Sequence, residues 1–212
     1  MTVTVPQHKI AFKTLPDATN DAVAQALVAL DEPVVHTAQP RRFQPVSWAL
    51  LGDHTRFCVL RDPAQRLMDL YALVVERRAE LAANCNLPDD GRFPANPDPD
   101  YFFTYLDAYR SRSAMVKRGA MSAAFFLGED LAANYDRVFR CHELRRISRF
   151  LSTQTGQVVR LKAPKAPAYR LQLDDLLDET IDLLRPWLDQ EYALVEGYFR
   201  NPLGTKVYAV GQ

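Results

Sequence analysis

The sequence lacks a net charge of either sign. Its 26 lysine and arginine residues balance 26 aspartate and glutamate residues, so the formal net charge at pH 7 is zero and the pI is near 6.9. A neutral chain has no overall attraction to nucleic acid or to an anionic membrane, although a local basic patch can lie within a neutral total. We therefore expect no nucleic-acid partner.

Long apolar runs are also missing. The longest, residues 120–127, is interrupted by Ser122 and is far shorter than the roughly 20 residues that a membrane-spanning helix needs. Residues 1–9 show no basic segment followed by an apolar one, so we expect no secretory signal and a cytoplasmic location. With 48% hydrophobic and 25% charged residues, the composition indicates a folded chain, which we expect to be one domain over residues 1–212.

Cysteine and histidine are scarce, and neither shows the spacing of metal ligands. Cys58, Cys85 and Cys141 form no CxxC pair, and the four histidines are scattered. We therefore expect buried thiols, no disulfide framework and no metal site. The GxxxxGK[ST] motif is absent as well, which disfavours a kinase or nucleotidase of the phosphate-binding-loop type.

The hydrophobic pattern predicts an α/β fold. β-branched runs alternate with helical periodicity in the first 150 residues, which is typical of a central parallel sheet, here of four or five strands, flanked by helices. The final helix is predicted to start after a cap at Asp174 and to be kinked or divided by Pro186. The predicted strands are residues 9–12, 33–37, 56–60 and 137–141, with a short one at 158–161. The predicted helices are residues 18–30, 64–83 and 143–155, two within 101–131 that are separated near Gly119, and 174 to about 199, with a proline-rich surface loop at 84–100. Gly156 is the predicted C-terminal cap of the helix at 143–155. The buried side of the last helix is predicted to consist of Leu177, Ile181, Leu184, Leu188 and Val195.

In an open parallel sheet, ligands bind beyond the carboxyl ends of the strands, where loops lead into helices whose first N–H groups are unpaired. Four segments of this sequence are expected there. They are residues 14–19, 38–42, 61–63 and 142–143. Anionic groups of a ligand would be favoured at such a position, especially beside an arginine.

Two of these segments resemble motifs of the sulfotransferases that use 3'-phosphoadenosine 5'-phosphosulfate (PAPS), most like the carbohydrate-type branch. Residues 9–23, KIAFKTLPDATNDAV, are similar to the family's first strand and loop, F-x-H-I-P-K-T-A-G-T-S. Residues 56–71, RFCVLRDPAQRLMDLY, are similar to its 3'-phosphate motif, F-x-x-V-R-D-P-x-x-R-L-x-S-x-Y. The resemblance implies a P-loop-like sulfotransferase fold and sulfuryl transfer from PAPS, without a metal, to a hydroxyl group of a carbohydrate or small metabolite.

The resemblance also implies roles for particular residues. Arg61 would bind the 3'-phosphate, with the residue at position 69 beside it, and Arg41 and Arg42 are further candidate anion ligands. The loop that would hold the 5'-phosphosulfate comprises Pro16, Asp17, Ala18, Thr19, Asn20 and Asp21. Alternatively, Arg61 forms a structural ion pair and the pair at 41–42 belongs to a solvated loop.

Sulfuryl transfer needs a base that takes the proton of the acceptor hydroxyl. The candidates are His36 and the pair His142 and Glu143, because each follows a predicted strand. A histidine at such a position can equally be a hydrogen-bonded structural residue. The family's strand-four glutamate aligns with His142, which places Glu143 one residue out of step.

The sequence departs from the family pattern where the donor's anionic groups would bind. Asp17 stands in place of the loop lysine, Asn20 in place of a glycine, and Asp21 and Ala22 in place of the loop's hydroxyl pair. Asp69 stands in place of the serine of the 3'-phosphate motif. A carboxylate about 4 Å from a phosphate charge is repelled by about 4 kcal/mol at an effective dielectric constant of 20. Either nearby cations compensate and the chain is an enzyme, or it is an inactive sulfotransferase-like binding or partner protein. In the second case, Asp17 and Asp21 take the place of the phosphate by capping the helix.

The start of the helix after residue 61 also has a purely structural interpretation. Asp62 is a favoured N-cap, Pro63 a favoured first helical residue, and Gln65 stands at the capping-box position. Arg66 can pair with Asp62 or Asp69, each about one helical turn away.

Overall fold

Five strands form one mixed sheet in the computed structural model, which describes residues 1–30, 33–35, 42–77, 93–164 and 170–204. The strand order is β3-β1-β2-β4-β5. The strands are β1 (Thr2–Val5), β2 (Ile10–Lys13), β3 (Val34–Val35), β4 (Thr55–Leu60) and β5 (Arg137–Arg140). An α/β fold with helices on both faces is thus confirmed, but the sheet is not wholly parallel.

The antiparallel part of the sheet comes from β1, which the sequence reasoning missed. β1 pairs antiparallel with β2 through a hairpin in which Lys9 adopts a left-handed conformation, with φ of 49°. β3 pairs antiparallel with the other edge of β1. Val3, Thr4 and Val5 are all buried, so both faces of β1 are covered by the core. The prediction of a parallel sheet was therefore wrong for this edge.

The parallel part consists of β2, β4 and β5, with Phe12 opposite Phe57 and Cys58 opposite Val138. These three strands were predicted to within about one residue. The predicted strand at 158–161 is wrong, because the N–H groups of Val159 and Leu161 donate to serine hydroxyls of a helix and not to a strand. Of the predicted strand at 33–37, only residues 33–35 are described.

The described residues form helices of very different lengths. They are α1 (Ala18–Val28), α2 (Pro45–Ala49), α3 (Pro63–Tyr71), α4 (Pro99–Thr104), α5 (Leu106–Arg112), α6 (Ala114–Gly119), α7 (Ala123–Leu127), α8 (Leu131–Asn134), α9 (Leu144–Thr155) and α10 (Asp178–Leu194). A π-helix, Ala72–Arg77, continues α3, and short 3-10 helices occur at Pro6–His8 and Leu173–Asp175. None of the described helices has the length and apolar character needed to cross a bilayer.

Two hydrophobic clusters lie on opposite faces of the sheet. On one face, α1 and α9 pack through Val23, Leu27, Ile147 and Leu151 against Phe57. On the other face, α3, the helices from α4 to α8, and α10 form the larger cluster. The predicted cap of α9 is confirmed, because Gly156 follows the helix with φ of 69°.

The stretch predicted as two helices is divided into shorter ones, α4 to α8. The expected break near Gly119 is present between α6 and α7, and α6, α7 and α8 each begin at a polar cap. Ser113, Ser122 and Asp130 each accept a hydrogen bond from an N–H group of the following turn. The proline-rich loop also ends earlier than predicted, since Pro99 is already the first residue of α4; residues 84–92 lie outside the described residues.

The last helix starts and ends differently from the prediction. Asp174 does not cap it but lies in the 3-10 helix Leu173–Asp175, and α10 begins after Leu177. Pro186 lies inside α10 without dividing it. Leu177 was predicted to be buried, but it is 61% exposed, because it precedes the first turn and is not on the buried side of the helix. Leu184 and Leu188 are buried as predicted.

Candidate functional site

The carboxyl ends of β2, β4 and β5 meet at one edge of the sheet, since these strands are parallel. The loops that leave this edge lead into α1, α3 and α9. This edge therefore carries the candidate residues that follow β2 and β4, as the sequence predicts. Of the other candidates, His36 and Arg41 lie outside the described residues, and Arg42 is solvent-exposed before α2.

Asp17 caps α1 from the loop after β2. Its Oδ1 atom accepts hydrogen bonds from the N–H groups of Thr19 at 2.8 Å and Asn20 at 2.9 Å. The first N–H groups of a helix are the donors that would bind a ligand anion. Here the carboxylate of Asp17 is their acceptor. Pro16 is half-buried, and Ala18 and Asp21 are exposed in this turn.

Asn20 ties the same loop to the sheet. Its side chain is fully buried. The Nδ2 atom donates to Asp17 Oδ2 at 2.5 Å and to the carbonyl of Val59 at 3.1 Å, and Oδ1 accepts from the N–H of Leu15 at 3.0 Å. In the resembling family a glycine stands here, but in this chain the amide side chain fills the inside of the loop.

The charge of Asp17 sits in a poor environment for an anion. Burial raises the pKa of Asp17 above its ordinary value, and the hydrogen bonds from Asn20 together with the nearby Arg61 guanidinium act in the opposite direction. A second anion next to Asp17 would add repulsion in the same poorly solvated place.

Arg61, which follows β4, is bound by a carboxylate of its own chain. Its Nη2 atom forms an ion pair with Asp69 of α3, and its Nη1 atom lies 3.8 Å from the sulfur of Cys141. Gln65 holds Asp69 in place, because its Nε2 atom donates to Asp69 Oδ1 at 3.0 Å. Within the described residues, the buried Nε atom of Arg61 has no hydrogen-bond partner.

Asp62 has the structural role that the sequence predicts, with one addition. It caps α3 by accepting from the N–H of Gln65 at 2.9 Å, and Pro63 is the first helical residue. The hydroxyl of Tyr192, on α10, also donates to its carboxylate at 3.0 Å. The side chain of Gln65 completes no capping box, because its amide is used on Asp69.

Arg66 does not pair with Asp62 or Asp69, so that prediction was wrong. It turns away from the sheet edge and forms an ion pair with Glu191 of α10, with 2.7 Å between Nη2 and Oε2. Its guanidinium lies 5.3 Å from the centre of the Trp187 ring. Arg66 is therefore a packing residue between α3 and α10.

The candidate bases after β5 differ in their surroundings. Both carboxylate oxygens of Glu143 have partners in nearby residues. Oε2 accepts a hydrogen bond from the N–H of Arg140 at 2.8 Å, and Oε1 forms ion pairs with the guanidinium groups of Arg140 and Arg146. His142 is exposed to solvent. Among the described residues, neither of the two contacts Arg61 or Asp17 through a hydrogen bond or ion pair.

A small cleft opens beside the start of α3. It has a volume of about 250 Å³ and is lined by Asp62, Gln65, Met68, Asp174, Tyr192 and Arg200, among others. A second, larger cleft of about 890 Å³ lies along the end of α10 and shares Tyr192 and Arg200 with the first. The described residues contain no group of histidine, cysteine and acidic side chains that could hold a metal ion.

Sequence reasoning missed several of these partners. Cys141 directly follows β5, and Arg61 directly follows β4. Because these two strands are parallel neighbours, the residues at their carboxyl ends lie close together. The sequence therefore contained enough information to predict this contact. Tyr192 and Glu191 offer no such signal, since they lie more than 120 residues from Asp62 and Arg66 along the chain.

Comparison with known proteins identifies no relative of this chain. No protein-family model, no curated protein and no solved structure matches it.

Proposed function

We propose that this chain is a sulfotransferase-like protein that has exchanged donor binding for internal ion pairs, and that it acts as a binding or partner protein and not as a sulfuryl transferase. The observation that carries the proposal is the ion pair between Arg61 and Asp69. Arg61 is the residue that the resemblance would assign to the 3'-phosphate of PAPS. In this chain its guanidinium already has an anionic partner that Gln65 holds in place.

The loop after β2 supports the same proposal. A phosphosulfate at the start of α1 would have to displace Asp17 from the N–H groups of Thr19 and Asn20. It would then lie beside a displaced carboxylate, and two like charges about 4 Å apart repel by about 4 kcal/mol at an effective dielectric constant of 20. Each 1.4 kcal/mol is about a tenfold loss of affinity, so the residues present do not fit PAPS.

The surroundings of the candidate bases agree with a binding role. Glu143 is fully engaged by Arg140 and Arg146, and a carboxylate held by two guanidinium groups is a poor proton acceptor. The cleft beside Asp62 supplies a place for a ligand instead. Its carboxylate, amide and phenol groups suit a small hydroxylated molecule such as a carbohydrate.

The experiment that tests the proposal is thermal unfolding with and without millimolar 3'-phosphoadenosine 5'-phosphate, the desulfated product of PAPS. A ligand at 100 times its Kd stabilises a protein by about 2.7 kcal/mol. We expect no change in Tm for the native chain. A saturable rise in Tm would contradict the proposal and would favour sulfuryl transfer.

A gain-of-binding series makes the test sharper. Asp69→Ser frees Arg61, and Asp17→Lys with Asp21→Thr restores the cation and a hydroxyl of the resembling loop. We expect the triple variant to gain a Tm rise with the nucleotide. Asp107→Ser is the matched control, since Asp107 is 92% exposed on α5 and its removal changes the net charge as Asp69→Ser does.

A further inference from the structure

A basic face lies on the outer side of α9. Between residues 137 and 162 the only acidic residue is Glu143, which is already paired with Arg140 and Arg146. Arg145 and Arg149 lie on exposed positions of α9.

The segment after α9 extends this basic face. The N–H of Val159 donates to Ser152 at 2.9 Å and the N–H of Leu161 donates to Ser148 at 3.2 Å, so the segment runs back along the helix. Val159 is buried and Leu161 packs against the same cluster. The alternating residues Arg160 and Lys162 therefore face solvent beside α9.

The four cations that define the basic face have no acidic partner within the described part of the chain. They are Arg145, Arg149, Arg160 and Lys162. Like charges close together repel one another, and an anionic surface from outside removes that repulsion. Val158, 81% exposed at the edge of this face, adds an apolar contact.

An acidic face lies at the start of α10. Asp174, Asp175, Asp178 and Glu179 are exposed there, in the 3-10 helix and the first helical turn. Acidic residues in a first turn are favoured by the helix dipole. The dipole does not explain the leucines beside them, Leu177 and Leu183, each 61% exposed.

The two faces cannot neutralise each other within one copy. α9 packs on the face of the sheet that carries Ile147 and Leu151, whereas α10 packs on the opposite face through Leu184 and Leu188. The sheet separates them. The two exposed faces therefore carry charges of opposite sign on opposite sides of the sheet.

We propose that the chain associates head-to-tail with a second copy of itself, the basic face of one copy against the acidic face of the next. Charge complementarity and the exposed Leu177, Leu183 and Val158 supply the contact, and the zero net charge leaves no overall repulsion between copies. Because the two patches differ, the contact is heterologous and can extend beyond a dimer.

Other occupants of the basic face fit less well. The apolar side of α9, with Ile147 and Leu151, is buried in the core and so cannot enter a membrane. Phe150 packs against Phe57 and Phe139 and does not offer a ring for base stacking, on which single-stranded nucleic-acid binding relies.

Sedimentation velocity at high protein concentration tests the proposal. We expect a mass above that of the 24.1 kDa monomer at low ionic strength and the monomer in 1 M salt, where the Debye length is about 3 Å. A monomer under both conditions would overturn the proposal. So would a monomer that binds a DNA duplex or anionic vesicles through Arg145 and Arg149.

Charge reversal on each face distinguishes this contact from nonspecific association. The basic-face variant carries Arg145→Glu with Arg149→Glu, and the acidic-face variant carries Asp178→Lys with Glu179→Lys. We expect each variant alone to be a monomer, and an equimolar mixture to associate again, because each retains the intact face that the other needs. Restored association also shows that both variants are folded.

The matched control is Lys117→Glu with Arg118→Glu, a charge change of equal size at exposed positions of α6. We expect it to associate like the native chain. Loss of association in this control, or a mixture of the two face variants that stays monomeric, would rule out the head-to-tail contact.

Discussion

Arg66 and Glu191 form an ion pair inside the protein, with 2.7 Å between Nη2 and Oε2 and with neither side chain more than 4% exposed. The pair joins α3 to α10, and Glu191 also accepts from the N–H of Ala123 at the start of α7. Burial lowers the pKa of Arg66, and the charges of Glu191 and Asp17 oppose that effect. The pair thus fixes how the helices of the larger cluster pack.

Glu191→Gln should destabilise the protein by about 3–5 kcal/mol, because it leaves the charge of Arg66 buried without an anion. The double variant Arg66→Met with Glu191→Leu should be clearly more stable than Glu191→Gln. Urea unfolding measures the free energy of unfolding of both variants. The control is Glu196→Gln, at an exposed position just after the end of α10. If Glu191→Gln unfolds at the same urea concentration as the native chain, the pair is not formed.

Asn20→Ala should destabilise the protein by about 2–4 kcal/mol, because it leaves the N–H of Leu15 and the carbonyl of Val59 buried without partners. Thr153→Ala, at an exposed position of α9, should change the free energy of unfolding little. Urea unfolding checks both. Equal stability of the two variants would show that the side chain of Asn20 does not hold the loop to β4.

Gly128→Ala should destabilise the protein more than Gly156→Ala does. Both glycines have positive φ, 83° and 69°, so both substitutions strain the backbone by about 1 kcal/mol or more. A Cβ atom at Gly128 would also lie 2.5 Å from Asn134 Nδ2 and 2.8 Å from the Phe43 ring, whereas one at Gly156 meets nothing within 4 Å. Thermal unfolding measures the Tm of the two variants, and we expect the lower Tm for Gly128→Ala because only this variant has the steric clash. A similar Tm for both variants would contradict the clash.

Glu143→Gln should alter how stability depends on pH. Burial acts to raise the pKa of Glu143, but the N–H of Arg140 and the guanidinium groups of Arg146 and Arg140 outweigh it and lower the pKa below its ordinary value. A lowered native pKa stabilises the fold at pH values above the unfolded pKa, and this stabilisation is lost as the pH falls through the native pKa. The stability difference between native chain and variant should therefore be largest near neutral pH and shrink toward pH 3. Urea unfolding across that range measures it, and a constant difference would contradict the pairing.

Features that depend on neighbouring residues in the chain were largely predictable. Asp62 and Pro63 begin α3, Gly156 ends α9, and β4 lies where the apolar run predicts it. Each of these depends on hydrogen bonds or sterics within about one turn, which the local sequence contains. The missed break points, at Ser113 and Asp130, belong to the same class, because polar caps inside an apolar stretch carry the signal.

Local sequence was therefore sufficient to predict the strands of the parallel part, the caps at Asp62 and Gly156, and the presence of acids where the resembling sulfotransferases have cations or neutral donors. The partner of each charged side chain, in contrast, depends on the tertiary structure. Arg61 reaches Asp69 two turns along α3, whereas Arg66 reaches Glu191 from a helix 125 residues away. The composition gives the net charge of zero, but it does not give the position of each charged side chain. Those positions depend on how the helices pack on the two faces of the sheet, because packing sets the distances between charged groups.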